Sequence, residues 1–279
     1  MDDLQKRAVE ADDLGDLPAA FELWKECAKS DVDGISSLKY GRVALELEKW
    51  EESEEAFHQA LHFLPEFYLV KALMGMLWVK RTDKDETESL QTAKEWFLKA
   101  LENKKIAPTL TLLGAAYAHL DDFVAAKEAF EEAINLDPNY EEALCNLALI
   151  VRKTDLQKSR GLLERAVQID PNYKKAHHAL GGVCQKMKDF DRAEFHYQRC
   201  LEIDPADYWS NLYLANLLGV TKRNDEAEQT YRLATELRPD LAGGFEFFAR
   251  FLESIGKVKE AAEERAKIKP SELAEDALL

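Results

Sequence analysis

The sequence has 279 residues, of which 46% are hydrophobic and 32% are charged, so the chain can bury a core and does not have the composition of a disordered tail. Its formal net charge of −16 disfavours general binding to nucleic-acid phosphates or anionic membranes. We expect neither a signal peptide at the start nor a bilayer-spanning segment, which would need a run of about 18 apolar residues.

Four cysteines, Cys27, Cys145, Cys184 and Cys200, are widely separated, and no CxxC pair occurs. Metal-binding and redox cysteines usually come in close pairs, and small secreted domains carry many cysteines. The spacing therefore predicts reduced thiols in a cytoplasmic protein. Only 12 Gly and 8 Pro are present, which leaves little material for a linker between domains.

Small, aromatic and large apolar residues recur along the chain with a period of about 34 residues. The residues that fit this period in the first unit are Ala8, Ala20, Trp24 and Cys27, and those in the second are Tyr40, Gly41, Ala44, Trp50, Phe57, Ala60 and Pro65. A third unit begins at Tyr68, but its Ala93 comes six residues later than the period requires. We therefore expect the charged residues 81–88 to form an enlarged turn.

The clearest unit covers residues 107–140, where the recurring positions hold Leu113, Gly114, Tyr117, Ala126, Phe130, Ala133 and Pro138. Its end reads LDPNY, and IDPNY and IDPAD end the next two units, with their first residues at 136, 169 and 203. Proline lacks a backbone N–H and disfavours helical geometry at the residue before it. Each copy therefore predicts the end of one amphipathic helix and the start of the next.

This pattern resembles that of the tetratricopeptide repeat (TPR) family, in which each unit is a pair of helices. The resemblance implies an all-α fold, a right-handed α-solenoid of about eight stacked units, because one helix pair cannot cover its own apolar face. The whole chain, 1–279, is then one solenoid with units at approximately 1–33, 34–67, 68–106, 107–140, 141–173, 174–207, 208–241 and 242–279, the last of them degenerate and ending in a cap.

In TPR proteins the first helix of each pair lines a concave groove that binds a partner peptide. Carried over position by position, the resemblance assigns to this groove Asn146, Arg152, Lys153, Lys175, His178, Gln185, Lys186, Trp209, Tyr213, Asn216 and Arg250. It also places Cys145 in the groove. Basic side chains in a chain of net charge −16 favour an acidic peptide with apolar anchors as the partner.

One TPR subclass clamps the terminal carboxylate of chaperones with five Lys, Asn and Arg residues at fixed positions. Here the best register supplies Asn146 and Lys175 but has Thr111, Ala115 and Ala179 at the other three positions. We therefore predict no chaperone clamp of this kind.

The sequence does not suggest an enzyme, a cofactor or a metal site. No phosphate-binding glycine motif occurs, and His58 and His62, although four residues apart, have no evident third ligand. Two functions remain: a non-catalytic adaptor or scaffold that binds a peptide in its groove, or a structural or oligomerisation subunit that docks by its ends or convex face. We expect no nucleic-acid partner, and the oligomeric state stays open.

Overall fold

The computed structural model describes residues 3–268, and all regular secondary structure in this range is helical. This confirms the predicted all-α repeat solenoid; the predicted C-terminal cap in residues 269–279 lies outside the described range. The helices are α1 (Asp3–Asp13), α2 (Leu17–Ala28), α3 (Ile35–Glu46), α4 (Trp50–Phe63), α5 (Tyr68–Lys80), α6 (Glu86–Asn103), α7 (Ala107–His119), α8 (Phe123–Leu136), α9 (Glu141–Val151), α10 (Leu156–Ile169), α11 (Lys174–Lys186), α12 (Phe190–Ile203), α13 (Tyr208–Val220), α14 (Asn224–Leu237), α15 (Ala242–Ser254) and α16 (Val258–Arg265).

The helices belong to two compact units, Met1–Ile150 and Val151–Leu279. In the first unit each odd-numbered helix from α1 to α7 contacts the even-numbered helix that follows it, and in the second unit α11, α13 and α15 do the same. Contacts also join α3 to α5, α5 to α7, α11 to α13 and α13 to α15. Successive first helices of the predicted repeats therefore lie side by side within each unit, while the division into eight repeats stays a prediction.

The recurring acid–proline turns end the second helices as their sequence predicts. Helix α8 ends at Leu136, and Asp137 Oδ1 accepts a hydrogen bond from the Asn139 N–H at 3.0 Å. Equivalent bonds join Asp170 to Asn172 at 2.9 Å and Asp204 to Ala206 at 3.2 Å. The acid therefore closes the turn by satisfying a backbone donor that the interrupted helix leaves unpaired.

The additional residues of the third unit lie mainly in a helix and not in the turn. Helix α6 has 18 residues and begins at Glu86, whereas α4 and α8 have 14 each. The Asp85 side chain accepts from the Glu88 N–H and so stabilises the early start of α6. The turn is therefore residues 81–85, shorter than the 81–88 that we expected, and Glu86 to Glu88 are helical.

Helix pairs approach so closely that a glycine of the first helix contacts an aromatic ring of the second. A Cβ on Gly114 would lie 2.6 Å from Phe130 Cε1, and one on Gly181 would lie 2.4 Å from Tyr197 Cε1. The same contact recurs at Gly41 with Phe57 and at Gly75 with Phe97. These rings are fully buried, so the recurring small residue determines the spacing of each pair.

Buried His177 and half-buried His196 form a pair between α11 and α12. His177 Nε2 lies 3.0 Å from the Pro171 carbonyl oxygen, and His177 Nδ1 lies 3.0 Å from His196 Nδ1. Since the carbonyl can only accept, His177 carries its proton on Nε2 and accepts at Nδ1 from the His196 N–H. All these bonds are therefore satisfied when both rings are neutral.

We expect this pair to make stability depend on pH. Burial, with the neighbouring His177 and Arg192, lowers the pKa of His196 to about 4, and burial also lowers the pKa of His177. The folded protein thus binds fewer protons than the unfolded chain, so the stabilisation is complete above pH 6.5 and is lost as the pH falls toward 4. Because His196 is partly solvated, we expect a loss of about 1–2 kcal/mol.

Urea unfolding of the wild type and of His196→Gln, each at pH 7 and pH 4.5, measures this contribution. The pH-dependent loss should be smaller in the variant by about 1–2 kcal/mol, since the titrating ring is gone. His62→Gln, at an exposed position of α4, is the control and should keep the wild-type dependence. Equal pH dependence in all three proteins would contradict the assignment.

Candidate functional site

Helices α11, α13 and α15 of the second unit present one continuous set of accessible side chains. We call this set the first-helix surface. It consists of Lys175, His178, Gly182, Gln185 and Lys186 on α11, Trp209, Tyr213, Asn216, Gly219 and Val220 on α13, and Phe247, Arg250 and Ser254 on α15. Each of these residues is exposed or half-buried, and α13 contacts both of the other helices.

A chain of polar contacts fixes the middle of the first-helix surface. The Tyr197 hydroxyl donates to Gln185 Oε1 at 3.1 Å, and Gln185 Nε2 donates to Asn216 Oδ1 at 2.9 Å. Burial raises the pKa of Tyr231 to about 12, against the opposing effect of a hydrogen bond with Asn216. The predicted site residues Gln185 and Asn216 are therefore brought together and held in place by buried tyrosines on the second helices.

An aromatic cluster lies beside these amides. The Tyr213 ring lies 6.3 Å from Trp209 and 6.1 Å from Tyr197 in stacked arrangements, and 5.2 Å from His178 edge-on, all between centroids. Trp209 remains 43% exposed, so a large face of the cluster is accessible. Rigid, partly exposed Trp and Tyr side chains are the types that dominate binding energy at protein interfaces.

His178 contributes a neutral ring to this cluster. Burial lowers its pKa, with smaller effects from nearby charges that include Arg152. Its Nε2 atom is buried and has no hydrogen-bond partner within residues 3–268. The ring is therefore mainly a packing partner of Tyr213 and Tyr197 and offers little polar surface to a ligand.

Positive charge is concentrated at the α11 side of the surface. Lys153 and Lys175 are exposed, and Arg152 and Lys186 are exposed without a hydrogen bond or ion pair to any of residues 3–268. Exposed cations that no acid neutralises attract anionic groups of a partner.

Charges at the α15 side are neutralised within the chain. Glu246 accepts from Arg250 Nε at 2.8 Å and from Arg265 Nε at 2.9 Å, and Glu253 also binds Arg265. The charges of these two acids and two bases sum to zero. The first-helix surface is therefore basic near α11 and electrically neutral near α15.

An open pocket of about 440 Å³ lies between α13 and α15, and we call it the anchor pocket. Its floor includes the buried rings of Tyr231 and Phe251, while Val220 and Phe247 are 54% and 41% exposed. The remaining lining residues are Asn216, Gly219, Arg250 and Ser254. The lining therefore combines apolar side chains with the polar groups of Asn216, Arg250 and Ser254.

The sequence identified only part of this pocket. Asn216 and Arg250 were predicted site residues, but Gly219, Val220, Phe251 and Ser254 were not. Gly219 and Val220 follow Asn216 by three and four residues on α13, a spacing that places them on the same face of the helix. Those positions could therefore have been included from the sequence, whereas the gap above Phe251 depends on how α13 and α15 pack.

Two of the other assignments need comment. Asn146 is half-buried on α9 and belongs to the first compact unit, whereas the other ten predicted site residues belong to the second. Cys145 is fully buried, so its predicted place in the groove is wrong. Thr111 and Leu212, at the same repeat position, are buried as well, because this position faces the neighbouring first helix where the helices contact each other.

Residues 3–268 contain no candidate metal site or membrane-spanning helix. In this range no group of three or more His, Cys, Asp and Glu side chains could hold a metal ion. No helix among the described residues combines the length and apolar character needed to span a bilayer.

Comparison with known families identifies two of the repeats. Two tetratricopeptide repeat models match, one at residues 107–140 and the other at residues 175–207. The chain contains tetratricopeptide repeats. The matched segments are the two units in which the glycine–aromatic contacts of Gly114 with Phe130 and of Gly181 with Tyr197 occur.

Part of this TPR protein is similar to human protein O-mannosyl-transferase TMTC1, with 25% identity over 157 residues. The match covers 54% of this chain and spans 18% of the length of that curated relative. The transferase named there is the whole relative, most of which lies outside the match.

Solved structures share the fold. The crystal structure of the APC/C hetero-tetramer Cut9–Hcn1 aligns with a TM-score of 0.70 at 16% identity, over 84% of this chain and 48% of that one. The crystal structure of YrrB, a TPR protein with an unusual peptide-binding site, aligns with a TM-score of 0.51 at 17% identity, over 68% of this chain and 97% of its own.

Proposed function

We propose that this TPR protein is a non-catalytic cytoplasmic adaptor that binds an acidic, apolar-anchored segment of a partner protein on the first-helix surface of its second unit. The observation that carries the proposal is local charge reversal: in a chain of net charge −16, the exposed side chains of Arg152 and Lys186 have no ion-pair partner among residues 3–268. Trp209 and Tyr213 supply aromatic contact area next to that charge.

Three further facts support the proposal. The hydrogen bonds of Gln185 and Asn216 hold the surface in one conformation before a partner arrives, which lowers the entropy cost of binding. YrrB, which has a peptide-binding site, is a TPR protein of the same fold. The free, buried cysteines of the chain are consistent with a reducing compartment.

Charge reversal tests the proposal. In the double variant Arg152→Glu/Lys186→Glu, crosslinked capture of partner proteins from a cytoplasmic extract, quantified by mass spectrometry, should fall about tenfold because the anionic segment is repelled. Higher ionic strength should also weaken capture by the wild type, because salt screens the attraction between exposed charges.

The matched control is Lys222→Glu/Lys259→Glu, which also changes the net charge from −16 to −20. Both lysines are exposed, lie outside the first-helix surface, and have side chains without an ion-pair partner in the described part of the chain. Its capture should stay within about twofold of the wild type. Equal losses in both variants would mean that total charge and not this surface attracts the partner. Unchanged capture by both, together with a defined oligomer in light scattering, would favour the structural-subunit alternative.

A further inference from the structure

The anchor pocket selects for an apolar side chain. Its floor is aromatic, and its only charged lining residue, Arg250, is held by Glu246 at 2.8 Å. A carboxylate placed there would compete with Glu246 for Arg250, whereas a large apolar side chain would gain contact with Phe251, Val220 and Phe247. The pocket therefore favours a large apolar group over an acid.

The α11 side of the surface has the opposite preference. Lys186 is the last residue of α11, and Lys175 is exposed on the same helix. Within the described range, 3–268, no acid pairs with the exposed side chains of Lys186 and Arg152. The two sides of one surface thus require different chemistry, which fixes the order of groups in a bound segment.

Gly182 provides room for a chain to lie along this surface. A Cβ at this position would meet only the Tyr197 hydroxyl, at 3.9 Å, so packing within the protein does not require glycine. A glycine inside a helix costs about 1 kcal/mol relative to alanine. One use that offsets this cost is the close approach of a bound backbone, and Gly182 lies one turn from both His178 and Lys186.

The spacing follows from helix packing. Neighbouring packed helices are about 8–10 Å apart, and an extended chain advances about 3.3 Å per residue. The pocket lies beyond α13 as seen from α11, at roughly one to one and a half helix spacings, or about 10–15 Å. Acidic residues at α11 and an apolar residue in the pocket are therefore separated by about three to five residues of extended chain.

We propose that the first-helix surface binds an extended protein segment in a fixed arrangement, with acidic residues against Lys186, Lys175 and Arg152 and one large apolar side chain, three to five residues away, in the anchor pocket. This inference rests on the proposed function and adds to it a two-part recognition pattern.

Four fluorescein-labelled synthetic peptides of equal length test the arrangement on the full chain by fluorescence anisotropy. The reference peptide has two adjacent Glu, a four-residue Gly/Ser spacer and one Phe. The other three replace Phe by Ala, replace both Glu by Gln, or place Glu and Phe next to each other without the spacer. We expect each of the three to bind about tenfold more weakly than the reference.

Two variants assign each peptide group to its place on the protein. Ser254→Trp puts an indole into the pocket, so it should abolish the preference for Phe over Ala and keep the preference for Glu over Gln. Lys186→Glu should abolish the preference for Glu over Gln and keep the preference for Phe over Ala. Gly182→Leu should weaken binding of the reference peptide about tenfold. Gly161→Leu is the control and should leave binding unchanged, because Gly161 is an exposed glycine of α10 where a Cβ would have nothing within 4 Å.

The outcomes separate this inference from the proposed function. If the peptides bind but Ser254→Trp and Lys186→Glu reduce both preferences alike, the two-part arrangement is wrong while peptide binding stands. If no peptide binds although the charge-reversal variant loses partner capture, the arrangement is wrong and the adaptor function is retained. A dimer in sedimentation that competes with the peptide would assign the surface to a second copy and overturn the inference. Circular dichroism and urea unfolding of each variant verify that it is folded.

Discussion

Replacing Gly181 by Ala should lower the free energy of unfolding by about 2 kcal/mol, even though alanine is the better helix former. The added Cβ would lie 2.4 Å from Cε1 of Tyr197, whose ring is 1% exposed and also bonded to Gln185. Because the ring has no room to retreat, α11 and α12 must move apart. Urea unfolding followed by circular dichroism measures the change.

The neighbouring glycine is the matched control. Gly182→Ala makes the same chemical change one residue later, where a Cβ meets only a hydroxyl at 3.9 Å, and should be neutral or stabilising by up to about 1 kcal/mol. Combining Gly181→Ala with Tyr197→Leu should cost less than the sum of the two single changes, because the smaller side chain makes room for the methyl group. Similar losses for Gly181→Ala and Gly182→Ala would show that the close helix contact is not what limits this position.

Replacing Arg81 by Met should cost about 2–3 kcal/mol of unfolding free energy. The Arg81 side chain is 4% exposed and donates to Asp83 at 2.8 Å, to Glu54 at 2.7 Å and to Glu51 at 3.0 Å. Its guanidinium also lies 5.0 Å from the Trp78 ring centroid. Removing it leaves three carboxylates next to each other and releases the turn 81–85 from α4.

An exposed arginine gives the comparison. Arg238 pairs with Asp240, but both side chains are about half exposed, at 48% and 57%. Arg238→Met should therefore change stability by less than about 0.5 kcal/mol, since solvent screens such a pair. Arg81→Lys should retain only part of the stability, because an ammonium group cannot form the same set of directed bonds. A loss at Arg81 no larger than that at Arg238 would contradict the structural role assigned to this turn.

Much of the candidate surface followed from sequence position. Once the acid–proline turns gave the repeat register, the resemblance to TPR proteins assigned Lys175, Lys186 and Trp209 to the groove side of the first helices, and these side chains are exposed. Cys184 and Cys200, which fall at two recurring packing positions of the unit 174–207, are buried. The groove assignment failed for Cys145, which is fully buried. Exposure at that position depends on the distance to the adjacent helix and not on helical phase alone.

The sequence by itself determined the fold class, the helix ends at Asp137, Asp170 and Asp204, and the close helix pairs, because each depends on residues within one repeat of about 34 residues. Only the tertiary structure decided the electrostatics and shape of the surface: that Arg265 neutralises Glu246 and Glu253, that no acid of residues 3–268 pairs with Arg152 or Lys186, and that a pocket opens above Phe251. Each of these depends on contacts between different helices, and a one-dimensional period carries no information on which side chains meet across that gap.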